Sequence, residues 1–123
     1  MKIHPDSIHV QSVRAYGSGW VQVDHDRLTS SIVIASSGER FAWDCACFKD
    51  LTEAHFEQLA ALQTELVIFG SGGRLRFPSN TLTRSLINRQ IGLETMDTQA
   101  ACRTYNILAS EGRHVALALL IGL

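Results

Sequence analysis

The first half of the chain alternates apolar and polar residues in short runs, which is typical of β-strands. The four runs predicted as strands are residues 8–15, 20–23, 31–35 and 40–44. The turn residues Gly17-Ser18-Gly19 and Ser36-Ser37-Gly38 separate them, together with a polar corner at Asp24-His25-Asp26-Arg27. Because short strands joined by such turns pair with their neighbours, this half predicts an antiparallel β meander.

The second half changes to helical periods separated by compact apolar runs. Three helices are predicted: from Thr52 to about Gln63, from a cap at Ser79 or Asn80 to a stop at Gly92, and from Asp97 or Thr98 to a stop at Gly112. The runs 66–69, 93–96 and 114–121 are predicted as strands. From residue 66 onward the order is therefore βαβαβ, which implies parallel pairing with right-handed crossovers.

Composition supports one α/β domain over residues 1–123. The chain is 46% hydrophobic and 19% charged, with a formal net charge of −1. This balance gives no reason to expect nucleic acid as a partner, and no apolar run reaches the ~20 residues of a membrane span. The residues from Met1 to Asp6 contain no apolar signal core, and the three cysteines are an odd number. We therefore expect a cytoplasmic protein with reduced thiols and no membrane insertion.

The third predicted helix and the segment after it carry a recognisable signature. The segment 96–108, MDTQAACRTYNIL, and the segment 111–116, EGRHVA, resemble the signature of a family of small domains, mostly of unknown function. That family includes the mitochondrial complex I assembly factor 3 and the adipogenesis-associated protein. The segment 66–72, LVIFGSG, is similar to the family's strand and glycine loop. The resemblance implies a three-layer β/β/α arrangement and, in eukaryotic members, a non-catalytic factor that binds partner proteins during assembly of a respiratory complex.

Most signature positions have a structural interpretation from their place in the helix. These positions are Met96, Asp97, Thr98, Ala101, Thr104, Tyr105, Asn106, Glu111, Gly112 and Arg113. Asp97 and Thr98 stand where helix caps stand, and Ala101 and Tyr105 lie on one packing stripe. The alternative interpretation is an acid–base set formed by Asp97 and Thr98 with Thr104, Tyr105 and Asn106. We favour the structural roles.

The glycine loop and the arginines after it form the candidate ligand or partner surface. Its members are Gly70, Ser71, Gly72, Gly73, Arg74 and Arg76. Such loops can turn backbone N–H groups toward an anion, and arginine forks suit carboxylate or phosphate. In an extended segment Arg74 and Arg76 would share one face. The alternatives are a plain tight connection and arginines that are solvated or paired locally.

No complete catalytic or metal-binding set is found. Cys45 and Cys47 could share a strand face with Asp44 or His55 nearby, but no zinc-ligand spacing accompanies them. Cys102 lies on an alanine-rich helix and is expected to be a small buried residue. No catalytic residue, metal or cofactor is therefore assigned.

Two functions remain open from the sequence. The first is a non-catalytic protein-interaction or assembly-factor-like module, with another protein of unknown identity as partner. The alternative is a protein or enzyme that binds a small anionic metabolite through the Gly70–Gly73 loop and the adjacent arginines. Residues 62–123 hold six arginines against four acidic residues, whereas residues 1–61 hold five basic and eight acidic residues. For either function, the excess of arginine predicts that a site for an acidic partner or ligand lies in the second half of the chain.

Overall fold

The computed structural model describes residues 10–122, which form eight strands, three α-helices and a short 3₁₀-helix at Phe48–Asp50. The strands are β1 (Val13–Gly17), β2 (Trp20–Val23), β3 (Asp26–Leu28), β4 (Ile32–Ala35), β5 (Arg40–Ala42), β6 (Leu66–Gly70), β7 (Gly92–Met96) and β8 (Val115–Leu119). The helices are α1 (Glu53–Ala60), α2 (Arg84–Asn88) and α3 (Thr98–Ser110). Ile8 and His9, at the start of the first predicted strand, lie outside the described residues.

The strands form two sheets, and their pairing confirms the α/β class. A small antiparallel sheet has the order β1-β2-β3, and a five-stranded sheet has the order β5-β4-β8-β6-β7. In the larger sheet β6 pairs in parallel with both β7 and β8, as the βαβαβ pattern predicts. β4 pairs antiparallel with β5 and β8.

Two details of the first half differ from the predicted meander. The polar corner continues into a strand, β3, because Asp24 adopts a positive φ of 53° and turns the chain sharply. β4 and β5 leave the meander and extend the larger sheet. All four residues of β4 are buried, which is the burial of a strand covered on both faces.

Apolar residues on the two faces of the larger sheet build two cores. Ile68 and Leu117 pack against α3 and the small sheet, whereas Val67 and Phe69 pack against α1 and α2. The two crossovers run in opposite directions from β6 to β7 and from β7 to β8, which places α2 and α3 on opposite faces. This confirms the three-layer arrangement, with α3 sharing the layer of the small sheet.

The observed helix ends show which of the capping residues in the sequence correctly predicted the helix bounds. At α3, Asp97 is the N-cap, and its Oδ1 accepts a 2.9 Å hydrogen bond from the Ala100 amide. Gly112, with a φ of 85°, follows the end of α3. The second predicted helix is shorter in the structure, where a turn over residues 80–83 precedes α2 and the helix begins only at Arg84. The longest described helix, α3, has 13 residues, so no helix among residues 10–122 can cross a bilayer.

Candidate functional site

The carboxyl ends of three parallel strands meet at one edge of the larger sheet. After β6 the chain leaves toward α2, and after β7 it turns to α3 on the opposite face. Where neighbouring strands send their connections to opposite faces, a crevice is left between the connections. An open groove of about 690 Å³ lies there. Its lining includes residues that directly follow β6, β7 and β8: Ser71, Asp97 and Leu120.

The structure brings five of the six predicted surface residues into this groove. Ser71, Gly72, Gly73, Arg74 and Arg76 all line it. Gly70 does not belong to the lining. A Cβ at Gly70 would lie 2.5 Å from Leu119 Cδ2 and 3.2 Å from Ala101 Cβ, so this glycine permits the close approach of α3 to the sheet.

The Ser71 side chain holds the loop that carries the two arginines. Ser71 is 5% exposed, and its hydroxyl donates a 2.7 Å hydrogen bond to the Arg74 carbonyl. The same oxygen accepts a 3.0 Å hydrogen bond from the Arg76 amide. The backbone of both arginines is therefore tied to the end of β6.

Both arginines are exposed, and their side chains make few contacts with charged groups of the described residues. Within residues 10–122 neither Arg74 nor Arg76 forms an ion pair within 4.0 Å. The Arg76 guanidinium lies 5.7 Å from the centroid of the Phe48 ring, within the range of a cation–π contact. The local pairing with a nearby carboxylate that the sequence left open is therefore not formed among the described residues, where Asp97 caps α3.

The other lining residues come from segments that the sequence prediction missed. Trp20 and the Gly17–Gly19 turn line the groove, as do Cys47 and Phe48. The indole lies over Gly17, where a Cβ would clash with Trp20 Nε1. The Arg27 guanidinium lies 3.9 Å from the indole centroid. A tryptophan beside a glycine turn was the available signal, but its proximity to Arg74 depends on tertiary packing.

The start of α3 contributes further polar lining. Asp97, Thr98 and Gln99 line the groove. The Thr98 amide donates a 2.9 Å hydrogen bond to the Gly72 carbonyl, which joins α3 to the glycine loop. The Asp97 carboxylate caps α3, so its negative charge interacts with the amino-terminal end of that helix.

The rest of the signature lies away from the groove and binds the fold together. Tyr105 is fully buried, burial raises the pKa of its phenol, and its Oη donates to the Gln11 carbonyl at 2.8 Å. Asn106 bonds both backbone groups of Val13. Arg113 pairs with Glu65.

Four further signature positions complete this picture. Met96 packs against the core on the α3 side, and Ala101 is fully buried there. Thr104 is half-buried, and Glu111 is the C-cap of α3. Because Asp97 is a cap and the Tyr105 phenol is buried against a backbone carbonyl, these positions do not converge as an acid–base set.

The cysteines lie in different environments. Cys45 and Cys102 are buried and Cys47 is half-buried at the groove. Burial raises the pKa of the Cys102 thiol to about 12. The Cys47 thiol donates to the Asp50 carboxylate at 2.9 Å, which raises its pKa. No three His, Cys, Asp or Glu side chains group as metal ligands in the described part of the chain.

Comparison with known proteins identifies relatives over most of the described residues. A family model described as protein of unknown function (DUF498/DUF598) matches residues 13–120. The NADH dehydrogenase [ubiquinone] 1 alpha subcomplex assembly factor 3 of Bos taurus is 34% identical over 80 residues, which are 63% of this chain and 44% of that protein. The chain thus spans less than half the length of this relative.

Solved structures of two bacterial proteins share the fold. A Bordetella parapertussis protein superimposes with a TM-score of 0.86 at 38% identity, covering 91% of this chain and 96% of that one. A Xanthomonas campestris protein superimposes with a TM-score of 0.81 at 36% identity, covering 98% and 90% of the two chains.

Proposed function

Since the chain belongs to the DUF498/DUF598 family of proteins of unknown function, we propose that it is a non-catalytic protein-binding module and that the groove is its docking surface. The assembly-factor name of the bovine relative supports a role in binding other proteins. The cytoplasmic location and the single-domain organisation expected from the sequence belong to the same proposal.

One observation carries the proposal, namely the alternation of side chains along residues 74–77. Arg74 and Arg76 line the groove, whereas Leu75 and Phe77 are 52% and 69% exposed. Single exposed apolar residues are common on protein surfaces, but here two of them lie beside a groove with two arginines that form no ion pair among residues 10–122, which makes an amphipathic rim. Such a rim suits a protein partner, because apolar and charged contacts can form together.

The shape of the groove favours a polypeptide over a small metabolite. Small-molecule sites commonly enclose 70–90% or more of the ligand surface. Here the groove is open, and the apolar side chains of Leu75 and Phe77 are exposed and lie outside its lining. A metabolite bound between the arginines would leave Leu75 and Phe77 uncovered, whereas a partner protein can cover both.

Site-specific photo-crosslinking tests the proposal in the full chain. A photoreactive amino acid is placed at Phe77 or, as a matched control, at Glu57, which is exposed on α1. We expect discrete crosslinked proteins from position 77 in cells of the source organism, with none of them formed from position 57. The products should be lost in Arg74→Glu/Arg76→Glu. Identical products from both positions, or none from position 77, would overturn the proposal.

A further inference from the structure

We infer that the groove binds an extended acidic segment of the partner protein, with carboxylates at alternate positions. This inference rests on the proposed function and specifies the chemistry of the partner. It depends on the charge of the groove, the spacing of its arginines, and the way the fold holds them in place.

The charged residues that line the groove indicate that the bound segment is negatively charged. Among the lining residues the cations are Arg74 and Arg76 and the anion is Asp97. The Asp97 carboxylate already accepts from the Ala100 amide, whereas no carboxylate of residues 10–122 lies within 4.0 Å of either guanidinium. The groove therefore offers two cations to an anionic partner, and the guanidinium fork matches a carboxylate geometrically.

The spacing of Arg74 and Arg76 indicates how the carboxylates of the bound segment are spaced. Arg74 and Arg76 line the groove while Leu75 and Phe77 are exposed outside its lining, as expected of alternate residues in an extended segment. Residues two apart in an extended chain are separated by about 6.6 Å. An extended partner segment with carboxylates two residues apart has the same repeat, so both carboxylates can meet an arginine at once.

The arginines are held in place before a partner arrives. The Ser71 hydroxyl bonds to the Arg74 carbonyl and the Arg76 amide, and the Arg76 guanidinium lies over Phe48. This restraint reduces the conformational entropy that the loop loses on binding. Trp20 and Phe48 also line the groove and add aromatic surface to it.

Fluorescence anisotropy with a defined peptide tests the charge and the pattern. The peptide is a labelled ten-residue chain that alternates glutamate with leucine, and its control alternates lysine with leucine. We expect the full chain to bind only the acidic peptide, and Arg74→Glu/Arg76→Glu to weaken binding about tenfold, since two exposed ion pairs with the peptide are lost. Arg84→Glu is the matched control, because Arg84 is exposed on α2 outside the groove lining. Raising the salt to 1 M should weaken binding, because the screening length falls to about 3 Å.

Protection of Cys47 from iodoacetamide locates the bound peptide. Cys47 lines the groove, whereas Cys45 and Cys102 are buried, and the reagent is uncharged. We expect the acidic peptide to slow alkylation of Cys47 and inorganic phosphate at about 10 mM to leave the rate unchanged.

Three results would overturn the inference: equal binding of both peptides, binding unaffected by the double charge reversal, or protection by phosphate without protection by the peptide. The last result would identify a small-anion site. A crosslinked partner at position 77 together with no peptide binding would defeat this inference and leave the proposed function standing. Peptide binding in the groove without any crosslinked partner would defeat the proposed function instead.

Discussion

The phenol of Tyr105 donates a 2.8 Å hydrogen bond to the backbone carbonyl of Gln11, 94 residues earlier in the chain. Tyr105 is fully buried on the face of α3 that packs against the small sheet. This bond ties the middle of the helix to the segment that leads into β1. A residue of the family signature thereby holds together two parts of the fold that are remote in sequence.

Removing this bond should destabilise the protein without changing its fold. In Tyr105→Phe the Gln11 carbonyl loses its donor while the ring packing remains, so we expect the free energy of unfolding to fall by about 1–2 kcal/mol. Tyr105→Ala also leaves a cavity and should cost about 3–5 kcal/mol. Urea denaturation monitored by circular dichroism measures both. No loss in Tyr105→Phe would show that the hydroxyl contributes nothing, and equal losses for the two variants would contradict the contribution of the buried ring.

Asn106 acts on the adjacent backbone of β1. Its Oδ1 accepts from the Val13 amide at 2.9 Å and its Nδ2 donates to the Val13 carbonyl at 2.8 Å, so the side chain takes the place of a neighbouring strand. We expect Asn106→Ala to lower the free energy of unfolding by about 1–3 kcal/mol, because two backbone groups lose their partners. Amide exchange at Val13 should accelerate more than exchange at the centre of β6.

The neighbouring residue provides the control for Asn106. Ile107 is 57% exposed on the same helix, so Ile107→Ala should change stability by less than about 0.5 kcal/mol. If both alanine variants had the same effect, the hydrogen bonds to Val13 would not be the cause of the loss, since alanine raises the helix propensity at both positions.

Local signals in the sequence predicted the elements that depend on neighbours along the chain. The start of α3 at Asp97 and its end before Gly112 follow from capping chemistry, and β6 follows from a continuous apolar run. The pairing of β4 with β8 joins residues more than 80 positions apart, and no local pattern encodes which buried strand pairs with which. The apolar run of β4 was visible, but its place in the larger sheet was not.

The candidate site divides in the same way. Alternation in the sequence predicted that Arg74 and Arg76 would share a face, and the structure places both in one groove. Trp20 and Phe48 reach that groove from the first half of the chain through tertiary packing. Their contribution could not be predicted, because it depends on how the small sheet docks beside the larger one.

Gly112 and Gly70 are glycines for different reasons, a positive φ in the first case and lack of space in the second. At Gly112 a Cβ would meet no atom within 4 Å, but the φ of 85° is unfavourable for alanine, so Gly112→Ala should cost about 1 kcal/mol. Gly70 has no positive φ, and Gly70→Ala should cost about 1–3 kcal/mol through contact with Leu119. In denaturation experiments Leu119→Ala should relieve part of the Gly70→Ala cost and none of the Gly112→Ala cost. Full additivity in both double variants would contradict the steric explanation for Gly70.

The reactivity of Cys47 should depend on Asp50. The thiol donates to the Asp50 carboxylate, which raises the thiol pKa and lowers the fraction of reactive thiolate at about pH 8. Asp50→Asn removes the negative charge, so the pKa should fall toward its ordinary value and alkylation of Cys47 should become faster. Cys102 is the internal control, because burial raises its pKa to about 12 and blocks access in the folded state. Mass spectrometry after timed exposure to iodoacetamide at that pH measures both sites. Slower labelling of Cys47 in Asp50→Asn, or labelling of Cys102 at the rate of Cys47 in the folded protein, would show that the hydrogen bond to Asp50 does not control the thiol at this groove.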